Sequence, residues 1–216
     1  MYEDAQEIFD FLPLNKTTLE EEYINHLWNA FTTLVVNENT GSSFSIMPFH
    51  LLFMLCLQYK ILRIYKEKRN KYKLAFTISQ IRENEQVSKP SSVFDIALLR
   101  ERAMIDLLSL IQVKPDLIKN IKELVDNRND RLAHAKGGIE QNPEKKINEY
   151  LNLLKQIQEY MLPLNDRVAK RWLKEMGKGW SGKEYMETHF VEEYLCSADM
   201  RQGKLIELDK RLNGEI

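Results

Sequence analysis

The chain has 216 residues, 44% hydrophobic and 29% charged, which is long enough to bury one sizeable core and far in composition from a disordered chain. A net charge of −1 excludes a global attraction to nucleic acid, so any contact with RNA has to come from a local patch. With only 8 Gly and 6 Pro, and no regular turn clusters, a β architecture is disfavoured and an all-α fold expected.

The N-terminus is acidic: residues 1–22 hold seven acidic side chains against Lys16 alone. MYEDAQEIFD lacks the basic start and apolar stretch of a secretory signal, so a cytoplasmic location is expected. Thr18 with Glu21 three residues on reads as a capping box that opens a helix over 18–36, with Leu19, Tyr23, Leu27, Phe31 and Leu34 as its apolar stripe. NENTGSS (37–43) reads as a polar loop, and Pro48 suits the first turn of a second helix running to about Lys68. Its most apolar run, Phe44 to Leu57, is interrupted by Ser45, Pro48 and His50. That run is short of the roughly 20 residues that cross a bilayer, so it reads as a core helix and no membrane role is expected.

Residues 69–91 are polar and ambiguous, ending in the breaker SKPSS. Ser92 with Asp95 begins another helix, with the stripe Ile96, Leu99, Ala103, Leu107 and Leu110. Pro115 opens the next, which should stop at Gly137–Gly138. Asn142 and Pro143 suit an N-cap and first helical residue, followed by Ile147, Leu151, Leu154, Ile157 and Met161. Pro163 should end that helix, leaving a helix around 165–176, a glycine-rich turn, and a helix from Ser181 to about Cys196. The expectation is an antiparallel helical bundle of about four to five long helices over 1–162, with a short helical C-terminal extension over 163–216 packed on it. Cys56 and Cys196, far apart in apolar helical patterns, read as buried thiols rather than a disulfide.

One residue breaks its own helix's pattern. Ile121, Val125, Arg128 and Leu132 follow at spacings of four, three and four, so Arg128 stands where a leucine belongs. Such a violation costs stability unless compensated, and it tends to mark a functional site. The alternative is an arginine that snorkels from the edge of the stripe or pairs with a core carboxylate. His134 lies six residues on, roughly 9 Å along an α-helical axis, and rotated about 120° from Arg128, so one helix does not converge the two. Asp130, four residues before His134, could orient its imidazole, although a histidine in a last helical turn also simply complements the dipole.

The run Arg128-Asn129-Asp130-Arg131-Leu132-Ala133-His134 resembles the Arg-x(4–6)-His motif of the HEPN family, including the Asn directly after the Arg. MPFHLLFMLCLQYKILRIYK (47–66) is similar to the long apolar helix of those domains, and the resemblance covers roughly residues 18–162. It implies metal-independent RNA cleavage, in which the ribose 2′-hydroxyl attacks the adjacent phosphate and leaves a 2′,3′-cyclic phosphate. His134 would move protons and Arg128 would hold phosphate, with Asn129, Asp130 and Arg131 supporting. It further implies a homodimer whose protomers line one cleft, a toxin or defence role, and an antitoxin or other regulatory protein as a partner. The family also holds silent members, so a module that binds RNA or a protein without cutting is the alternative.

Residues 60–73 carry seven basic side chains against Glu67, interleaved with Tyr65 and Tyr72. Lys60, Arg63, Lys66, Arg69, Lys73 and Tyr65 are candidate RNA contacts, the other reading being a solvated helix end. The GxGxxG match at Gly177 to Gly182 follows a helix rather than a strand and reads as a turn. His26, His50 and His189 lack the spacing or cysteine partners of a zinc site and read as packing or surface residues, so neither metal nor cofactor is expected.

Overall fold

The most apolar stretch of the chain becomes its hub. In the computed structural model, which describes residues 2–13, 16–36, 41–78, 85–130 and 142–176, all regular structure is helical and no strand is present among those residues. A 3-10 segment, Glu3–Phe11, leads into α1 (Thr18–Val36), α2 (Gly41–Phe44), α3 (Ile46–Glu67), α4 (Arg69–Ile78), α5 (Glu85–Ser88), α6 (Val93–Ile96) and α7 (Glu101–Asp106). A second 3-10 segment, Leu107–Ile111, joins α7 to α8 (Pro115–Arg128), and α9 (Pro143–Met176) follows.

A helix that is apolar all round belongs in a core or a membrane. By length and composition alone α3 could cross a bilayer, yet most of its apolar window is buried inside the fold. It touches α1, α4, α6, α7, α9 and both 3-10 segments. Phe49, Leu52, Phe53, Cys56, Ile61 and Ile64 are shielded on all sides and belong to one continuous core reaching from Ala5 to Leu164. Aromatic rings knit its middle, with Phe31 and Phe49 5.2 Å apart and Phe53 and Tyr150 4.9 Å apart at their centroids. Burial pushes the Cys56 thiol up to about 12, which keeps it protonated and unreactive.

Several sequence expectations shift by a residue or a turn. The first capping box is Thr17 with Glu20, not Thr18 with Glu21: the Thr17 amide donates to Glu20 Oε2 at 2.9 Å and the Glu20 amide to Thr17 Oγ1 at 3.3 Å. The buried face moves with it, to Glu20, Ile24, Leu27 and Phe31, which leaves Leu19 63% exposed. The Ser92–Asp95 box forms as expected, with Asp95 Oδ2 accepting from the Ser91 and Ser92 amides, and these bonds hold its carboxyl below the ordinary value. Its helix ends after one turn, because residues 97–100 break and Arg100 turns extended before α7 starts. The break rotates the stripe, so Met104, Ile105, Leu108 and Ile111 face the core in place of Ala103 and Leu110.

Asn142 caps α9 as expected, accepting from the Lys145 amide at 3.0 Å. Pro163 does not end that helix; it lies inside a helix that continues to Met176, with Leu164 and Asn165 buried on the same core. The expected stop failed because Pro163 is exposed and Leu162 and Leu164 on either side are buried, so packing outweighs the lost backbone hydrogen bond. The C-terminal extension therefore shares its first helix with the core, and residues 177–216, with Cys196 and the glycine-rich turn, lie outside the described residues.

Candidate functional site

Three cross-links fix α7 beside α8. Arg102 Nη1 donates to Asp126 Oδ2 at 2.5 Å, Lys122 Nζ to Asp106 Oδ1 at 2.5 Å, and Arg128 Nη2 to Glu101 Oε1. Residue numbers rise on one helix as they fall on the other, so the two run antiparallel and the first residue of α7 meets the last of α8. The outer two pairs are solvated, and each is worth no more than about 1 kcal/mol. The innermost differs: the Arg128 side chain is 13% exposed and that of Glu101 29%. The arginine in the apolar stripe has thus found a carboxylate, as its alternative sequence reading allowed.

The pair continues inward. Arg128 Nη2 lies 3.0 Å from His50 Nε2, which is 3.3 Å from Glu101 Oε1, and His50 Nδ1 lies 2.9 Å from the Tyr150 hydroxyl. His50 comes from α3 and Tyr150 from α9, both fully buried, so four helices contribute one side chain each to a chain of contacts running from the core to the surface. An arginine N–H only donates. Assigned from that network, the neutral ring carries its proton on Nδ1, donates it to the Tyr150 oxygen, and accepts from Arg128 at Nε2. Burial holds His50 below the ordinary histidine value, and the charge of Arg128 pushes the same way against the Glu101 carboxylate. For Glu101 burial pushes upward, but the bonds and charges of His50 and Arg128 outweigh it and the carboxyl sits low. The resulting state is a carboxylate, a guanidinium and a neutral imidazole.

Arg128 uses only part of its donor set here. Nη2 serves Glu101 and His50, while Nε is buried with no hydrogen-bond partner among the described residues. Beyond Arg128 the α-helical pattern gives way at Asn129 and Asp130 to π-helical hydrogen bonding, a feature frequent at functional sites. The regular wheel on which His134 was projected therefore does not continue past Arg128. Asn129 is half-buried and Asp130 exposed, whereas Arg131 and His134 lie outside the described residues.

The basic segment divides in two. Lys60 is 4% exposed, donates to Gln158 Oε1 and lies over the Phe11 ring at 5.4 Å, and Tyr65 is 8% exposed against Tyr72. Both are core residues and are withdrawn as RNA contacts: helix α3 is enclosed there, so its spacing counts for packing. Arg63 is half-buried, and Lys66, Arg69 and Lys73 are exposed. Lys68, passed over as a contact, bonds Leu110 O at 2.8 Å and is held below the usual lysine value, first by burial and then by the charges of Lys71 and Arg167. Cations from α4 and α9 thus gather at the end of α3.

Sequence reasoning missed Glu101, His50 and Tyr150 as site residues. Glu101 falls off the apolar stripe of a helix that was drawn as unbroken, and Tyr150 lies three residues from Ile147 on a stripe traced through Leu151. His50 did carry a signal, a lone titratable ring in the most apolar run of the chain. No group of three or more His, Cys, Asp or Glu side chains among the described residues is arranged to hold a metal ion. Compared with known proteins, the chain matches no family model, no curated protein and no solved structure.

Proposed function

We propose that this protein is a metal-independent endoribonuclease of the HEPN type, acting as a homodimer. The observation that supports the reading best is Arg128: a largely buried guanidinium, held from behind by Glu101 and His50, at the point where α8 loosens into the RNDRLAH run. In the proposed reaction the 2′-oxygen of a ribose attacks the adjacent phosphorus as its proton passes to a base. The bond to the 5′-oxygen breaks, that oxygen takes a proton, and the products are a 2′,3′-cyclic phosphate and a 5′-hydroxyl. His134 serves as proton carrier, and Arg128 neutralises charge on the non-bridging oxygens. Exposed Lys66, Arg69 and Lys73 would meet the RNA backbone away from the cut. A toxin or defence role, with a restraining antitoxin or regulatory protein in the cytoplasm, belongs to the same proposal.

A specific observation favours a second reading. The Arg128–Glu101 pair is also what a structural ion pair looks like, and it fits a silent module that binds RNA or a protein without cutting. Incubating total RNA with wild type, Arg128→Ala and His134→Ala, with a chelator present, separates the two. The enzyme reading predicts cleavage by wild type alone; intact RNA in all three lanes, with undiminished RNA binding, supports the silent module.

A further inference from the structure

We propose that Glu101 and His50 are positioning residues that aim Arg128, holding its Nη2 nitrogen so that the opposite Nε–Nη1 edge receives a phosphodiester of RNA. The substrate class rests on the ribonuclease reading above; the geometry does not. A guanidinium has five N–H donors in a rigid fork, and a phosphate takes two of them side by side. Glu101 and His50 draw on the two hydrogens of Nη2. Nε, buried and unmatched among the described residues, lies on the edge they leave over. A buried N–H without an acceptor costs free energy, and a ligand oxygen would remove that cost.

The backing is rigid, because His50 and Tyr150 are fully buried on α3 and α9, the two long helices of the core, and the His50–Tyr150 contact is 2.9 Å. The front is open, since exposure rises from His50 through Arg128 to Glu101. A phosphate on the free edge need not displace Glu101, which accepts on the other. An arginine oriented before the ligand arrives loses little side-chain entropy on binding and presents its charge where it develops.

The test uses the full chain, an RNA oligonucleotide as substrate, and the same sequence fully 2′-O-methylated as a probe that cannot be cut through its 2′-oxygen. Glu101→Asp keeps the charge but retracts it by one methylene, and Glu101→Gln keeps an oxygen acceptor in place. The proposal expects Arg128→Ala to weaken probe binding about tenfold, and Glu101→Asp to lower kcat roughly 30-fold with only about a threefold loss of probe affinity, at unchanged Tm. Glu101→Gln should recover most of the rate, which a role in stability alone would not produce. If Glu101→Asp matches wild type in kcat and affinity, the positioning role is overturned and the ribonuclease reading stands. If wild type does not cut, that reading fails and binding decides: a probe affinity that falls in both Arg128→Ala and Glu101→Asp keeps the aimed arginine, and one indifferent to Arg128→Ala overturns it.

Discussion

Arg128 is tolerated in an apolar stripe because Glu101 and His50 meet it there, and that changes what its removal does. From the stripe alone, leucine at 128 should be welcome. With Glu101 only 29% exposed beside it, Arg128→Leu instead strands a carboxylate and should destabilise the fold by about 1–3 kcal/mol, less than for a fully buried pair because Glu101 is partly solvated. Adding Glu101→Leu should recover most of the loss, and denaturant midpoints of the two variants check it; an Arg128→Leu protein as stable as wild type would mean that the pair contributes nothing. His50 sets a pH dependence through the groups that face it, Glu101, Arg128 and Tyr150. Its folded value lies below the ordinary 6.5, so as pH falls through that value the unfolded chain takes up a proton that the folded chain refuses, and stability drops. Glu101, whose folded value lies below the ordinary 4.5, adds stability above that value that is lost as acid protonates it in the folded state. Urea midpoints should fall between about pH 7 and pH 5, and His50→Gln should flatten that slope. An unchanged slope in the variant would assign the loss to other groups.

At the scale of elements, long periodic stretches were legible and interruptions were not. α1, α3 and α9 stood out because one apolar face, or every face, repeats at helical spacing over many residues. The break at 97–100 was invisible because Ile96 and Leu99 suit a continuous stripe as well as a broken one; only packing against α3 and α8 decides. That break is also what turns Glu101 toward Arg128, so the missing site residue and the missing element boundary share one cause. Pro163 shows the opposite error, a breaker overruled by burial of Leu162 and Leu164. Since the proline removes a hydrogen bond from a helix that forms regardless, Pro163→Ala should stabilise the protein by up to about 3 kcal/mol, read as a rise in Tm. A fall in Tm would mean that the ring itself is needed to shape α9.

Over the whole molecule, composition sufficed for the all-α class, and the Arg128 anomaly was visible in sequence. Its partners were not, because His50, Glu101 and Tyr150 are brought to it across 78, 27 and 22 positions by tertiary packing that no local pattern encodes. Lys60 and Tyr65 misled for the same reason, as basic and aromatic residues look alike on a solvated face and in a core lined with acceptors. An α-helical projection holds Arg128 and His134 roughly 9 Å apart along one axis, so the proposed chemistry calls for a second protomer. Sedimentation at micromolar concentration should then report a dimer, and cross-links between cysteines placed at 134 in each protomer should form; a monomer throughout would remove the shared cleft. The central claim is RNA cleavage by the 2′-oxygen, and the ends of the products test it most directly. Mass spectrometry of an oligonucleotide treated with wild-type protein in chelator should find 2′,3′-cyclic phosphate and 5′-hydroxyl termini, with no cutting of the 2′-O-methylated strand or by His134→Ala. Products ending in 5′-phosphate, or cleavage that His134→Ala leaves intact, would contradict it.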